Sequence, residues 1–126
     1  MTTKGQTEAE ISEALIKFER EYMGRGPDET KTYIIEDMVL VRLRGVLTPA
    51  EKQLARTDTE SKGRGLIKQV RSELLEKGRS ILEELVQDIL GRKVTSLHTD
   101  ISTVTGERII VFTLDAEYEH DSAGGA

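Results

Sequence analysis

The 126-residue chain contains no cysteine and no tryptophan, and only 4% of its residues are aromatic. The absence of cysteine excludes disulfides and thiolate metal sites, and it fits a reducing cytoplasm. No apolar run approaches the roughly 18 residues that a membrane-spanning helix requires. The N-terminal sequence MTTKGQTEAE lacks the apolar core of a signal peptide. We therefore expect a cytoplasmic protein that does not insert into a membrane.

Catalytic and metal-binding patterns are also missing. The sequence shows no nucleophile paired with a base, no metal-ligand spacing and no phosphate-binding loop followed by a lysine. Its two histidines are His98 and His120. His98 and Asp100 stand two apart on a predicted strand, which fits either a proton-transfer pair or a polar sheet surface. We favour the polar surface, and we expect no enzyme activity, no metal and no cofactor.

The formal net charge is −5, which argues against a general nucleic-acid binder. Residues 42–71 nevertheless hold eight basic and three acidic side chains, a sum of +5. Two interpretations remain: ordinary solvated charge, or a basic surface that docks an anion or an acidic partner. The candidate docking residues, which include one from the preceding loop, are Arg25, Arg42, Arg44, Lys52, Arg56, Arg64 and Lys68.

Hydrophobic periodicity and capping signals predict three helices. The first covers residues 7–23, with Thr7 as N-cap. The second is short and covers residues 49–56, after a capping box that starts at Thr48 and encloses a proline. The third covers residues 65–91 and is the longest element of the chain.

The long helix carries a broad apolar stripe. Charged residues, Arg71 among them, are assigned to its opposite side. Gly78 lies on the apolar face, as a tolerated helix glycine or as the point where a second helix, from this chain or another subunit, approaches closely. Because the stripe exceeds what one short sheet can cover, we expect a homodimer through this helix. The stripe is centred on Ile67, Val70, Leu74, Ile81, Leu85 and Ile89.

Apolar and β-branched runs predict four strands, at residues 32–35, 38–44, 94–103 and 107–114. Two hairpins joined by helices indicate a two-layer α+β fold. We expect a mostly antiparallel four-stranded sheet, with the first and the long helix packed on one face. The predicted domain covers residues 7–117, between flexible tails at residues 1–6 and 118–126.

The loop at residues 24–27 (GRGP) has two interpretations: an anion-holding loop, or the exit turn of the first helix.

Five runs of the sequence form a recognisable set: GRGP at 24–27, VRLRGVLTPAE at 41–51, LIKQVR at 66–71, DIST at 100–103 and TGERIIVF at 105–112. In these runs the chain resembles a bacterial family, the MpsC-like domain. The resemblance extends from Ile11 to Asp115, nearly the whole chain.

The resemblance implies a component of a sodium-translocating, membrane-potential-generating system that is connected with inorganic carbon uptake. It implies that an integral-membrane partner moves the ion, and it supplies no catalytic residues. From it we predict a cytoplasmic accessory or regulatory subunit of an ion or bicarbonate transport system, acting by protein–protein interaction. One alternative is a free-standing sensor of a small anion or nucleotide, and another is a small enzyme that uses His98 and Asp100.

Overall fold

The computed structural model describes residues 3–57 and 62–118 of the chain. In chain order its elements are α1 (Lys4–Tyr22), β1 (Glu29–Ile35), β2 (Met38–Arg44), α2 (Pro49–Thr57), α3 (Lys62–Leu90), β3 (Val94–Ile101) and β4 (Arg108–Leu114). The tail predicted at residues 118–126 lies outside the described residues, except for Tyr118.

The four strands form one antiparallel sheet in the order β1-β2-β4-β3. Each hairpin supplies one central and one edge strand, and the hairpins join where β2 pairs with β4. Val41 and Ile110 are partners in this central pair, and neither is exposed. The predicted α+β fold, with its four-stranded antiparallel sheet, N-terminal helix and long helix, is confirmed.

Burial alternates along the strands, so the two faces of the sheet differ. In β4 the side chains of Ile110 and Phe112 are fully buried, while that of Ile109, which precedes Ile110 in the strand, is exposed. This period of two places one face against the helices, and the described part of the chain leaves the other face uncovered. The core therefore lies between the sheet and the helices α1 and α3.

The buried side of helix α3 overlaps the predicted stripe, since Ile67 and Gly78 are buried, but it is rotated away from the predicted centre. Val70 and Ile81 were expected at the centre of the buried stripe, but they are 53% and 43% exposed. Arg71 was expected on the polar side, and it is 3% exposed. Apolar residues cover a wider arc of α3 than the sheet and α1 contact, so part of this arc stays exposed. The buried residues are Gly63, Ile67, Arg71, Leu75, Gly78, Leu82, Val86 and Leu90.

The predicted close approach at Gly78 is made by α1 of the same chain. A Cβ atom at Gly78 would lie 2.9 Å from Phe18 Cζ and 3.0 Å from Tyr22 Cε1. The rings of Phe18 and Tyr22 stack on each other with their centroids 5.0 Å apart. The glycine thus lets an aromatic pair of α1 lie directly against the backbone of α3.

The predicted start of α1 is wrong. The N-cap is Thr3, whose hydroxyl accepts a hydrogen bond from the Gln6 backbone N–H, while the Gln6 side chain accepts one from the Thr3 N–H. Thr7 is inside the helix and buried. Since glutamine closes a capping box as glutamate does, the sequence contains two consecutive boxes, and the earlier one is used. Lys4 and the two residues after it, predicted as tail, are therefore helical.

Other element ends differ from the prediction by a few residues. Helix α3 begins at Lys62 rather than at residue 65, and β1 begins at Glu29 rather than at Thr32. The capping box before α2 is present as predicted, since Thr48 N donates to Glu51 Oε1 at 2.8 Å and Glu51 N to Thr48 Oγ1 at 3.2 Å.

Candidate functional site

The seven basic residues predicted for docking fall into separate groups. Arg42 and Arg44 extend from β2 onto the uncovered face of the sheet. There both bind Glu107, with Arg42 Nη2 2.8 Å and Arg44 Nε 3.5 Å from Glu107 Oε2. Arg44 also contacts Glu29 at 3.2 Å. These two guanidinium groups thus lie together and share a carboxylate.

Three more basic residues, Lys52, Arg56 and Arg64, line a shallow cleft of about 540 Å³ that we call the basic cleft. Its other side is formed by Gly45 and the turn at residues 103–106. The cleft lies where α2 and the start of α3 meet the sheet. Basic side chains from these two helices therefore lie together at one end of the domain.

Arg25 and Lys68 hold the structure together at two other places. Arg25 Nε donates to Gly45 O at 3.1 Å, and its Nη2 lies 2.8 Å from Asp28 Oδ1. Lys68 Nζ is 3.3 Å from Asp100 Oδ1. The seven side chains therefore do not form one continuous patch.

The loop at residues 24–27 is the exit turn of α1. The backbone N–H groups of Met23 and Arg25 both donate to Glu19 O, at 3.0 and 3.2 Å. Gly24 has a φ of 92°, which ends the helix in the manner of a left-handed C-terminal residue. These two backbone N–H groups therefore donate to the last turn of the helix.

His98 and Asp100 lie on the exposed side of the edge strand β3 and point to different partners. His98 Nε2 is 3.2 Å from Ser96 Oγ. Asp100 contacts Lys68 and accepts a hydrogen bond from the Ile101 backbone N–H at 2.8 Å. The Ile101 N–H keeps the pKa of Asp100 below its ordinary value of 3.8, with a smaller contribution from Lys68. The two side chains do not contact each other as an acid–base pair would.

The most unusual chemistry of the structure is a cluster of buried charges that joins α1, α2, α3 and β4. Glu19, Arg71 and Arg108 are 0%, 3% and 2% exposed. Arg71 binds Glu51 through two bonds, Nη2 to Oε1 at 2.7 Å and Nε to Oε2 at 2.9 Å. Arg71 Nη2 also donates to Val46 O at 2.9 Å. A single buried guanidinium thus links the start of α2 to the long helix.

The rest of this charged cluster is incompletely paired among the described residues. Arg71 Nη1 lies 4.0 Å from Glu19 Oε1, beyond hydrogen-bond distance. Both Glu19 carboxylate oxygens and Arg108 Nε are buried and have no hydrogen-bond partner there. Burial raises the pKa of Glu19, although Arg108 and Arg71 oppose this, and burial lowers the pKa of Arg108. Both shifts disfavour the charged forms.

Glu19, Arg71 and Arg108 were not predicted from the sequence as members of a site. Two positional signals were present. Arg71 follows Ile67 and precedes Leu75 at steps of four, so it continues a buried stripe. Arg108 precedes Ile110 and Phe112 at steps of two, so it continues the buried face of β4. A charge in phase with a buried stripe is expected to need a partner.

The pH dependence of stability should reveal Glu19. Because its folded pKa is raised, the native state holds more protons than the unfolded state just above pH 4.5, so stability falls as pH rises there. Burial by itself would raise the pKa of Glu51, but the contacts with Arg71 lower it overall. The stabilising contribution of Glu51 is therefore lost as pH falls below 4.5. We expect Glu19→Gln to remove the fall above pH 4.5, whereas Glu51→Gln leaves that fall in place. Urea denaturation across pH 4–8 tests this, and an unchanged profile for Glu19→Gln would contradict it.

The structure thus defines a two-layer α+β domain with a buried charged cluster and one uncovered sheet face. The model of one family, described as the Na+-translocating membrane potential-generating system (MpsC), matches residues 3–116. The chain belongs to this MpsC family. No helix in the described ranges is both long and apolar enough to cross a membrane. Nor do three metal-binding side chains of the His, Cys, Asp or Glu type come together within them.

Two bacterial relatives support the assignment. The chain is 44% identical over 117 residues to the uncharacterized protein YbcI of Bacillus subtilis (strain 168), covering 93% of this chain and 92% of YbcI. It is 27% identical over 111 residues to the uncharacterized protein YrhF of the same strain, covering 87% and 88% of the two chains. No solved structure matches the chain significantly.

Proposed function

We propose that this protein is a non-catalytic accessory or regulatory subunit of a membrane-potential-generating system, and that it lies in the bacterial cytoplasm. It acts by binding a partner protein through the uncovered face of its sheet. The observation that carries the proposal is that this face is apolar at its centre. The family description names a Na+-translocating, membrane potential-generating system, which supports the proposal, and no helix in the described part of the chain is suited to cross a membrane. An integral-membrane subunit is therefore the partner that we propose.

The binding surface, which we call the open sheet face, follows from the strand register. Tyr33, Leu40 and Val111 are cross-strand neighbours, and they form an apolar row over three strands. Tyr33, Ile35 and Ile109 are 39%, 45% and 38% exposed. An apolar surface of this kind on a sheet is typical of an interaction site.

The basic residues of the open sheet face lie at one end of it. Arg42 and Arg44 stand there, beside Ile109. They share the carboxylate of Glu107, and Arg44 also pairs with Glu29. A partner with acidic residues beside an apolar segment would complement this arrangement. Because exposed ion pairs contribute only about 0.2–1 kcal/mol each, the apolar side chains should dominate the affinity.

Affinity capture under mild detergent tests the proposal. We expect the wild-type chain to retain one integral-membrane protein in stoichiometric amount, and Ile109→Asp to weaken this binding by about 2 kcal/mol or more, roughly thirtyfold. The matched control is Val104→Asp, since Val104 is 87% exposed on a turn away from the open sheet face. A triple Arg42, Arg44 and Arg56 alanine variant should lose less than Ile109→Asp does. Equal capture by all variants, with each folded by circular dichroism, would contradict the proposal.

We also propose a homodimer through the exposed side of α3. Leu66 and Val70 are 54% and 53% exposed one turn apart, and Ile81 follows further along the helix. Together they form an apolar strip that the rest of the described chain leaves open. Sedimentation equilibrium should give twice the 14.1 kDa of one chain for the wild type and a monomer for Val70→Asp. A wild-type monomer throughout the micromolar range would refute the dimer.

A further inference from the structure

A small cavity of about 70 Å³ lies between α3 and the ends of β3 and β4. Both buried guanidinium-bearing residues, Arg71 and Arg108, line it, and so do the polar residues Ser72 and Thr99. A cavity needs only about 10–15 Å³ to hold one water molecule, so this one has room for several groups of that size. It is distinct from the open sheet face, which lies on the other side of the sheet.

One buried guanidinium group at this cavity lacks a hydrogen-bond partner among the described residues. Glu51 is already bound to Arg71 through two hydrogen bonds. At the rim, Lys68 is paired with Asp100. Arg108 remains, 2% exposed, with a buried Nε that donates to no described residue. Buried guanidinium groups in proteins are normally paired and hydrogen-bonded.

Glu19 is the one remaining carboxylate of the buried cluster. It is fully buried, and its oxygens accept no hydrogen bond from the described residues. Burial raises its pKa, although Arg108 and Arg71 oppose this. Because no described group hydrogen-bonds Glu19, its carboxyl group does not supply the acceptor that Arg108 Nε lacks.

We propose that this cavity binds a small inorganic oxyanion between Arg71 and Arg108. The planar fork of a guanidinium group matches the oxygen atoms of such an anion, and the bonds are charge-assisted. The volume limits the ligand to an ion of the size of bicarbonate, phosphate or sulfate and leaves no room for a nucleotide. The bound ion would supply the acceptor that Arg108 lacks and would fix the long helix against β4.

Thermal unfolding of the purified full-length chain, with bicarbonate, phosphate and sulfate each compared with chloride at equal ionic strength, tests the site. We expect at least one oxyanion to raise the melting temperature in a saturable manner, since a ligand of the native state stabilises it. Arg108→Met should weaken the apparent affinity at least tenfold, while its ligand-free stability equals or exceeds that of the wild type. Arg56→Met removes an equal charge from the basic cleft and should bind as the wild type does.

A direct measurement on the unmodified chain completes the test. The Arg108 Nε–H resonance, assigned by its absence from the spectrum of Arg108→Met, should shift in ¹⁵N-resolved NMR as the oxyanion is added. Ile109→Asp should bind the oxyanion normally, which separates this site from partner binding. The proposal is overturned if chloride acts as well as every oxyanion, if Arg108→Met keeps the wild-type affinity, or if the Arg108 resonance does not move.

Discussion

Replacing Arg71 by methionine is expected to lower the free energy of unfolding by about 3–5 kcal/mol, because it removes one partner of a buried ion pair. The guanidinium holds the Glu51 carboxylate and the Val46 carbonyl at once. Methionine fills much of the same volume but donates no hydrogen bond. Val46 O and Glu51 Oε2 therefore lose this donor, while Glu51 Oε1 retains the bond from Thr48 N. Urea denaturation at neutral pH measures the loss.

The control for this experiment is Arg56→Met. Arg56 is an exposed residue of α2 whose Nη2 donates to Gln53 Oε1 at 3.0 Å. Exposed side chains of this kind usually contribute within about 0.5 kcal/mol. If Arg71→Met cost no more than Arg56→Met, the buried charged cluster would not stabilise the fold, and its paired geometry would be wrong.

Gly78→Ala is the second substitution with a large expected effect. We expect it to destabilise the protein, whereas helix propensity alone predicts stabilisation. Alanine is favoured over glycine in a helix by roughly 1 kcal/mol. At this position, however, the new methyl group would lie 2.9 Å from Phe18 and 3.0 Å from Tyr22, closer than real carbon contacts allow. Overpacking of this kind costs about 1–3 kcal/mol, so we expect a net destabilisation measurable by thermal unfolding.

Gly65→Ala provides a matched control in the same helix. A Cβ atom at Gly65 would meet nothing within 4 Å. The propensity gain should then appear unopposed, as a stabilisation of up to about 1 kcal/mol. Equal effects of the two substitutions would show that α1 does not approach α3 at Gly78.

Local chemistry made much of the fold predictable. The strand at residues 38–44 has the predicted bounds because its β-branched run ends at Gly45, whose φ is 70°. The start of α2 is equally well specified, since Thr48, Pro49 and Glu51 each fit one position of a capped first turn. At the start of α1 the prediction used Thr7 and missed the capping box that Thr3 and Gln6 form, and Thr7 is buried inside the helix.

The buried side of α3 could not be obtained from periodicity alone. Apolar residues cover so wide an arc of this helix that several rotations bury a similar amount of apolar surface. The contact with α1 selects one of them, since only the rotation that turns Gly78 toward Phe18 lets the helices meet. That rotation buries Arg71 and exposes Val70, which reverses the predicted roles of these neighbours.

The candidate sites were harder to predict, because they depend on contacts between distant residues. Composition indicated a basic segment, but it could not show that Arg42 and Arg44 share Glu107 while Lys68 pairs with Asp100. Arg108 belongs to no run of charge at all. Its significance comes from the sheet register, which places it opposite Leu43 and Ile101 on the buried face. Tertiary pairing, rather than local pattern, creates that environment.

The proposal that the open sheet face binds a membrane partner is tested most directly by site-specific photo-crosslinking in the native bacterial cell. A photoreactive phenylalanine analogue would replace Ile109 on that face, and in a second strain Val104 on the exposed turn. We predict one crosslinked product from position 109, containing an integral-membrane protein, and none of that product from position 104. A crosslink to no membrane protein from position 109, or the same product from both positions, would contradict the account.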